Sequence, residues 1–426
     1  GHNALVSKLI HLLDHENTDM VYGMLSTAKR YISVGGPQRV SQTYVALIHA
    51  ALDLAKRIVK EQRAAAASAK DDTKKSDDVV EAAETKTEAP GEAKEGATEE
   101  TKQAEIEATE EIKKESGEDT AKPEAKETAA EGEEKANEEE EAEPPMFDDI
   151  DDEKVGDDSK AEQEKEEDTA EAEKSVSARD VFVFIQQTIA ALAASSPETA
   201  IKLYHETARY ASGMVRSDVP DSKGMFGPIA NELFVQSFTL YQEKQGDYKF
   251  QGRCIKSMVA ALLACNKGLE KAHYEKMVMK ACTFAAKSLR KEDQCELVML
   301  CSQLFYIVDA KGDIIYANKQ RCLECLQRAL KLADGSTSTN PSNLFLFVDL
   351  LEQYLQFFHK NNPSITAKYI TSLVQLVKTN CAKHESSTPA ISQAKGHFAE
   401  VVKLLKARKT AAATSEKYGP IELGGM

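Results

Sequence analysis

The chain contains no tryptophan, and only 12 prolines and 21 glycines interrupt its 426 residues. It has no glycine-rich phosphate loop and no Gly-x-Ser-x-Gly nucleophile motif. It also lacks a signal-peptide pattern and any run of about 18 apolar residues that could span a membrane. Because catalytic residue types nowhere cluster, the sequence predicts a protein that is not an enzyme and needs no cofactor.

Metal-binding patterns are also scarce. All eight cysteines lie at or after Cys254, on predicted apolar helix faces. Cys322 and Cys325 have CxxC spacing, but no second pair follows at a zinc-finger interval. We interpret the cysteines as core residues of a reduced cytosolic protein. His11 and His15 are spaced to share a metal on a helix, but the glutamate of zinc proteases is missing between them. No metal site is predicted.

Helical periodicity is abundant instead. Between Val176 and Arg408, apolar residues recur at three- and four-residue steps, and strand-like alternation is not sustained. Three further helices are predicted over 5–13, 20–32 and 39 to about 60, with a turn at 34–37. Four proline-led helix openings are predicted at Ser196-Pro197, Asn340-Pro341, Asn362-Pro363 and Thr388-Pro389. We predict about thirteen helices and no sheet.

Such helices favour an all-α solenoid. A helix pair cannot bury its apolar face alone, so pairs stack into a long array whose surface binds other proteins. We predict four regions: first helices over 1–64, an insert over 65–175, a C-terminal solenoid over 176–408 and a flexible tail over 409–426. The sequence therefore predicts a scaffold.

The insert has a different composition. Residues 71–174 contain 42 acidic and 14 basic side chains, a net charge of −28. The segment has few aromatic or β-branched aliphatic residues, so it cannot bury enough apolar surface to offset the loss of chain entropy on folding. We therefore predict a long disordered acidic insert. Since the whole chain carries −16, the rest carries +12. This basic remainder of the chain, which we call the basic body, could bind an anionic membrane, an acidic partner or the insert itself. Alternatively, its charged side chains could simply form solvated helix faces. Nucleic acid is not predicted, because no aromatic RNA-binding signature accompanies the charges.

One apolar island interrupts the acidic residues. Met146, Phe147 and Ile150 stand among prolines and aspartates. Apolar anchors flanked by acids are typical of a short docking motif that binds a basic groove. A chance cluster within a long loop is the alternative, and the sequence leaves both open.

Several strings resemble a known family in the same order along the chain. They cover 9–13 (LIHLL), 35–40 (GGPQRV), 238–241 (FTLY), 301–306 (CSQLFY) and 322–333 (CLECLQRALKLA), with a similar tail at 419–421 (GPI). Over residues 4–60 and 176–421, the chain resembles the C-terminal half of the large α-solenoid subunit of retromer. The competing hypothesis is a generic helical-repeat regulatory scaffold of another complex, with an acidic autoinhibitory loop.

The resemblance implies a HEAT-like solenoid that clasps the small phosphoesterase-fold subunit of retromer. It implies a cytoplasmic protein, peripheral on the endosome membrane, within a complex that retrieves membrane-protein cargo. The chain begins Gly1-His2 without methionine, so we expect a fragment. The arrestin-like subunit is expected to bind only the missing N-terminal half.

Four residues are expected at partner surfaces. Gln303, Phe305 and Tyr306 fall where the family contacts its small subunit, although Gln303 replaces a frequent histidine and loses its possible positive charge. A core position between helices is the alternative for Phe305. Asp247 is predicted to cap a helix, and the family's loop at that place is linked to recruitment of the actin-nucleation machinery.

Overall fold

The computed structural model describes residues 2–84, 175–215, 222–244, 246–384 and 388–424. Almost all of these residues are helical, which confirms the all-α fold class and the solenoid architecture. The helices are α1 (His2–Ile10), α2 (Thr18–Ser33), α3 (Pro37–Glu84), α4 (Ala178–Ala193), α5 (Pro197–Met214), α6 (Ser222–Glu243), α7 (Tyr248–Cys265), α8 (Lys271–Ala286), α9 (Lys291–Cys301), α10 (Lys319–Thr339), α11 (Phe345–His359), α12 (Ala367–Lys383), α13 (Pro389–Thr410) and α14 (Ser415–Tyr418). Two 3₁₀ turns span Ser302–Phe305 and Pro341–Leu344.

The chain divides into two compact units, one of Gly1–Ala67 with Asp149–Met426 and one of Ser68–Asp148. In the first unit, most consecutive helices from α4 onward contact each other, namely α4–α5, α5–α6, α7–α8, α8–α9, α9–α10, α10–α11, α11–α12 and α13–α14. The odd-numbered helices α5, α7, α9, α11 and α13 also contact one another in succession. They therefore form one continuous layer, which we call the odd layer. None of the described helices is long and apolar enough to cross a membrane.

The N-terminal hairpin follows the predicted pattern with small shifts. Asn17 caps α2 by accepting hydrogen bonds from the backbone N–H groups of Asp19 and Met20. Gly36 lies between α2 and α3 with φ of 79°, a conformation that favours glycine. Helix α1 ends at Ile10, so His11 and His15 do not share a helical face as their spacing suggested.

Helix α3 is longer than predicted. Its backbone remains helical to Glu84, whereas the sequence placed the end of the first region at 64. Four consecutive alanines from Ala64 to Ala67 explain the continuation, because alanine has the highest helix propensity. The remainder of the predicted insert, including Met146, Phe147 and Ile150, lies outside the described residues.

Three of the four proline-led openings are confirmed, with Pro197 and Pro389 in the first turns of α5 and α13. Pro341 opens the 3₁₀ turn before α11. The prediction at Asn362-Pro363 is wrong, because this pair closes α11. Asn361 adopts φ of 60°, and Asn362 N–H donates to the Phe357 carbonyl at 3.0 Å. This is the Schellman arrangement of a helix C-terminus, and α12 begins only at Ala367.

The predicted flexible tail at 409–426 is also corrected over its described part. Helix α13 continues to Thr410, and the short helix α14 follows. Tyr418 and Ile421 are fully buried. Both side chains pack into the first unit, because an aromatic ring and a branched aliphatic chain gain free energy when removed from water. The C-terminal segment is thus part of the fold.

A β-hairpin corrects the expectation of no sheet. Strands β1 (Tyr306–Val308) and β2 (Ile314–Ala317) pair antiparallel between α9 and α10. The register shifts after Ile307, which leaves Ile315 as an unpaired bulge residue. Periodicity could not reveal strands this short.

Candidate partner-binding surface

The odd layer carries a series of charged contacts between neighbouring helices. Arg253 on α7 donates two hydrogen bonds to Glu198 on α5, at 2.9 and 2.8 Å. Arg253 and Lys202 together lower the pKa of Glu198 to about 2. Lys256 pairs with Glu296 on α9 at 2.9 Å. These partly exposed pairs contribute little stability individually, but they make this side of the layer polar.

The same pattern continues toward the C-terminus. His397 on α13 lies 3.0 Å from Glu352 on α11. Burial is the main cause that raises the pKa of neighbouring Asp349, and His397 opposes it. A layer with polar, half-exposed side chains on successive helices can receive a folded partner without exposing a large apolar area.

Gln303 lies in this layer, on the 3₁₀ turn that follows α9. Its side chain is half-buried, and its Nε2 donates to the Oε1 of Gln353 on α11 at 2.9 Å. Gln353 is buried. The contact orients the Gln303 amide across the junction of α9 and α11, and the residue remains partly exposed.

Phe305 and Tyr306 are placed differently from Gln303. Both are buried, with exposed fractions of 2% and 1%. The Tyr306 hydroxyl donates to the Asn361 carbonyl at 3.2 Å, and its ring meets Phe357 edge-on with centroids 6.3 Å apart. Their side chains are therefore not available on the surface of this chain. Each helps to fix the turn that holds Gln303.

The hairpin after Tyr306 is a surface feature that the sequence reasoning missed. Asp309 Oδ1 accepts hydrogen bonds from the N–H groups of Lys311 and Asp313, and Gly312 has φ of 92°. Ile314 is 56% exposed beside this turn. A signal was present, since an Asp-Ala-Lys-Gly-Asp turn lies between two runs of β-branched and aromatic residues.

Asp247 is exposed and caps α7, as predicted. Its Oδ1 accepts a hydrogen bond from Phe250 N–H at 2.7 Å. The cap satisfies one of the free donors of the first helical turn. Any role in partner recruitment must therefore be separated from this structural one.

The cysteines offer no activated nucleophile. Seven of the eight are buried. Burial raises the pKa of Cys254 and of Cys295 to about 12, so both thiols stay protonated near neutral pH. The Cys322 thiol accepts a long hydrogen bond, 3.6 Å, from the Asn362 side chain within the core. These cysteines act as small apolar residues, which confirms their predicted positions.

The stacked helices and the open polar layer define the class of protein, a helical-repeat scaffold. The family model of Vacuolar protein sorting-associated protein 35 matches residues 2–380, and the chain belongs to this family. Vacuolar protein sorting-associated protein 35B of Arabidopsis thaliana is 33% identical over 260 residues, 59% of this chain and 31% of the relative. Vacuolar protein sorting-associated protein 35 of Schizosaccharomyces pombe is 31% identical over 196 residues, 46% of this chain and 22% of the relative. The chain matches less than a third of these relatives' lengths.

Proposed function

We propose that this chain is a non-enzymatic scaffold of the retromer cargo-recognition complex, and that its odd layer clasps the small phosphoesterase-fold subunit. In this proposal the protein acts in the cytoplasm, at the surface of endosomes, where the complex retrieves membrane-protein cargo. Membership of the vacuolar protein sorting family supports the proposal. The generic scaffold of an unrelated complex has no corresponding support.

The observation that carries the proposed interface is the position of Gln303. It is the half-exposed member of a turn whose other predicted contact residues, Phe305 and Tyr306, are buried. Its amide offers a donor and an acceptor to a partner. The charged pairs on α7, α9, α11 and α13 extend the same polar layer on either side of it.

In this arrangement the three residues have different roles. Gln303 contacts the partner directly, whereas Phe305 and Tyr306 hold the turn in place from beneath. We place the exposed hairpin tip around Ile314 at the edge of the same contact. An apolar side chain at the rim of a polar surface is a common anchor.

Co-purification with the small phosphoesterase-fold subunit tests this interface. Gln303→Arg should weaken binding at least about tenfold, because the longer cation disturbs a closely packed contact and brings an unmatched charge. Gln327→Arg is the matched control. Gln327 is exposed on α10, outside the odd layer, where it donates to the Tyr369 hydroxyl at 3.2 Å.

Melting curves of both variants must accompany the binding data. We expect the two arginine variants to melt like the parent, and only the Gln303 variant to lose the partner. Equal binding by both variants would remove Gln303 from the interface. Loss of folding in the Gln303 variant would place the residue in the core.

Asp247 is proposed as a contact for a second partner of the complex, associated with actin nucleation. Asp247→Ser preserves a capping side chain but removes the charge, and Asp247→Ala removes both. If recruitment requires the carboxylate, both variants lose it equally. If only the alanine variant loses recruitment, Asp247 acts through the helix cap alone.

A further inference from the structure

A cavity of about 950 Å³ opens between α3, α5 and the turn after α7, with Ile315 of the hairpin bulge in its wall. Its lining is strongly charged. Among the residues that the structure describes, five basic residues and one acidic residue contribute to it, namely Lys56, Lys60, Arg63, Arg209, Lys267 and Glu206. None of these residues takes part in the proposed contact with the small subunit.

Half of these charges already have structural partners. Arg63 donates to the Met214 carbonyl at 2.6 Å, where α5 ends. Lys56 lies 3.1 Å from the Asp53 carboxylate, with its ammonium 4.1 Å from the centre of the Tyr210 ring. The one acid, Glu206, pairs with His49 at 3.3 Å. These contacts fix α3 against α5 and give Glu206, the carboxylate among the described lining residues, a neighbour on α3.

The other three cations are uncommitted. Lys60, Arg209 and Lys267 are exposed and form no ion pair with any residue that the structure describes. They come from three separate elements, α3, α5 and the turn after α7. The cavity thus has a surplus of positive charge that the described residues do not balance. Apolar walls formed by Val59 and Met214 reduce the local dielectric and concentrate that field.

We propose that this cavity binds a compact anion with several phosphate groups, of the inositol polyphosphate class. Its volume lies within the range of small-ligand pockets, about 300–1,000 Å³. A guanidinium can bind phosphate oxygens with two parallel hydrogen bonds, and ammonium groups add point charges around it. Cations that enter from three directions suit a ligand with charges on several sides.

An acidic peptide is the competing ligand, and the chain carries one in its own insert. Peptide recognition typically uses an elongated groove, with backbone pairing or apolar side-chain pockets. The cavity instead collects its cations around one concave volume. The observations therefore favour a compact polyanion, and the insert enters the test as a competitor.

A purely structural role for the cations is the second competing explanation. Arg209 lies near the C-terminal end of α5, and Lys267 follows the end of α7. Cations at such positions stabilise the helix dipole. That role requires no ligand and predicts that removal of the charges changes stability but no saturable binding.

Calorimetric titration of the full chain with inositol hexakisphosphate, at about 0.15 M salt, tests the proposal. The test variant combines Lys60→Gln, Arg209→Gln and Lys267→Gln. The control variant combines Lys287→Gln, Lys319→Gln and Lys368→Gln, which remove the same charge from exposed sites outside the cavity. We expect saturable binding that weakens at least about tenfold in the test variant and less than about twofold in the control.

Other results would overturn the proposal. Equal weakening in both variants would mean non-specific attraction to the basic body, and absence of saturable binding would leave only the dipole role. Binding that emerges only after residues 85–174 are replaced by a Gly/Ser linker would identify the acidic insert as the occupant. Phosphatidylcholine vesicles with and without phosphatidylinositol bisphosphate distinguish the source of the phosphates. Vesicle binding that the test variant loses would identify a lipid head group as the ligand. Binding of inositol hexakisphosphate without vesicle binding would identify a soluble ligand, and either result supports the site.

Discussion

The two ends of the helical stack differ in how their apolar side chains are covered. At the C-terminal end, Tyr418 and Ile421 are fully buried. At the N-terminal end, Leu5, Leu9 and Leu12 are 59%, 60% and 75% exposed, and no described residue covers them. Each pair in a stack is buried by its neighbours, so an end pair needs a cap. The comparison shows that this chain provides a cap at one end from its own tail.

Polar contacts anchor the C-terminal cap. Arg408 donates to the Tyr418 hydroxyl at 2.6 Å, and Lys417 donates to the His359 carbonyl at 2.9 Å. The pKa of His359 is lowered, first by burial and then by these two cations. Glu422 N–H donates to the Thr371 hydroxyl at 3.0 Å. The last residues therefore connect α11, α12 and α13, and we expect these three helices to unfold together with the tail.

The largest difference between the ends is expected for a charge introduced on an apolar face. Leu326 on α10 is fully buried, whereas Leu9 on α1 is mostly exposed. Leu326→Asp should lower the free energy of unfolding by about 4 kcal/mol or more, because a carboxylate would be buried without a partner. Leu9→Asp should change it by less than about 0.5 kcal/mol. Chemical denaturation followed by circular dichroism measures both, and similar losses would contradict the comparison.

The second prediction concerns the cap itself. Tyr418→Ala should cost about 3 kcal/mol, since it removes a fully buried ring and leaves a cavity. Tyr31→Ala, at a site that is 64% exposed on α2, is the matched control and should cost less than about 0.5 kcal/mol. Thermal melting with hydrogen exchange of α11 to α13 distinguishes local from global effects. A tail that melts without any change in α11 would show that it is not part of the cooperative unit.

These differences explain how far the sequence could predict the molecule. Helix existence and most openings were predictable because periodicity and capping residues act locally. Burial of Tyr418 was not, because it depends on α11, which is distant in sequence and whose Phe358 ring meets the Tyr418 ring edge-on. Gln303 and Phe305 stand two residues apart in one aromatic-rich string, and only the packed structure shows which of them reaches solvent. The sequence predicted a helix opening at Asn362-Pro363 because proline is common in a first helical turn. The helix end that occurs there instead depends on the left-handed backbone of Asn361.

The third prediction uses a buried histidine of the interior. His205 on α5 lies 2.8 Å from the Ser257 hydroxyl and 3.1 Å from the Ser237 hydroxyl. Ser237 donates its own hydrogen to the Phe234 carbonyl, so it accepts from His205 Nε2. The neutral ring is therefore fully hydrogen-bonded, and burial lowers the pKa of His205 to about 3.

The sign of the pH effect follows from proton binding. Below its ordinary pKa of 6.5, the unfolded histidine takes up a proton that the folded one refuses until about pH 3. The contribution of His205 to the free energy of unfolding is therefore fully present above pH 6.5 and falls as the pH decreases, by about 1.4 kcal/mol per unit. His205→Gln should remove this slope, whereas His11→Gln, at an exposed site of the N-terminal end, should keep it. Denaturation at several pH values measures both effects. The same pH dependence in the unmodified protein and in both variants would contradict a role for His205.

The smallest effect is expected for the acidic insert, which separates the N-terminal helices from the capped C-terminal stack in sequence. Its composition predicts that it contributes no core. Replacement of residues 85–174 by a Gly/Ser linker of about 20 residues should leave helicity of the remaining chain unchanged. It should raise stability by about 1 kcal/mol, because each halving of loop length recovers about 0.6 kcal/mol of closure entropy. A large loss in the melting transition would instead mean that the insert packs against one of the two ends, and the exposed N-terminal leucines would be the first surface to examine by hydrogen exchange.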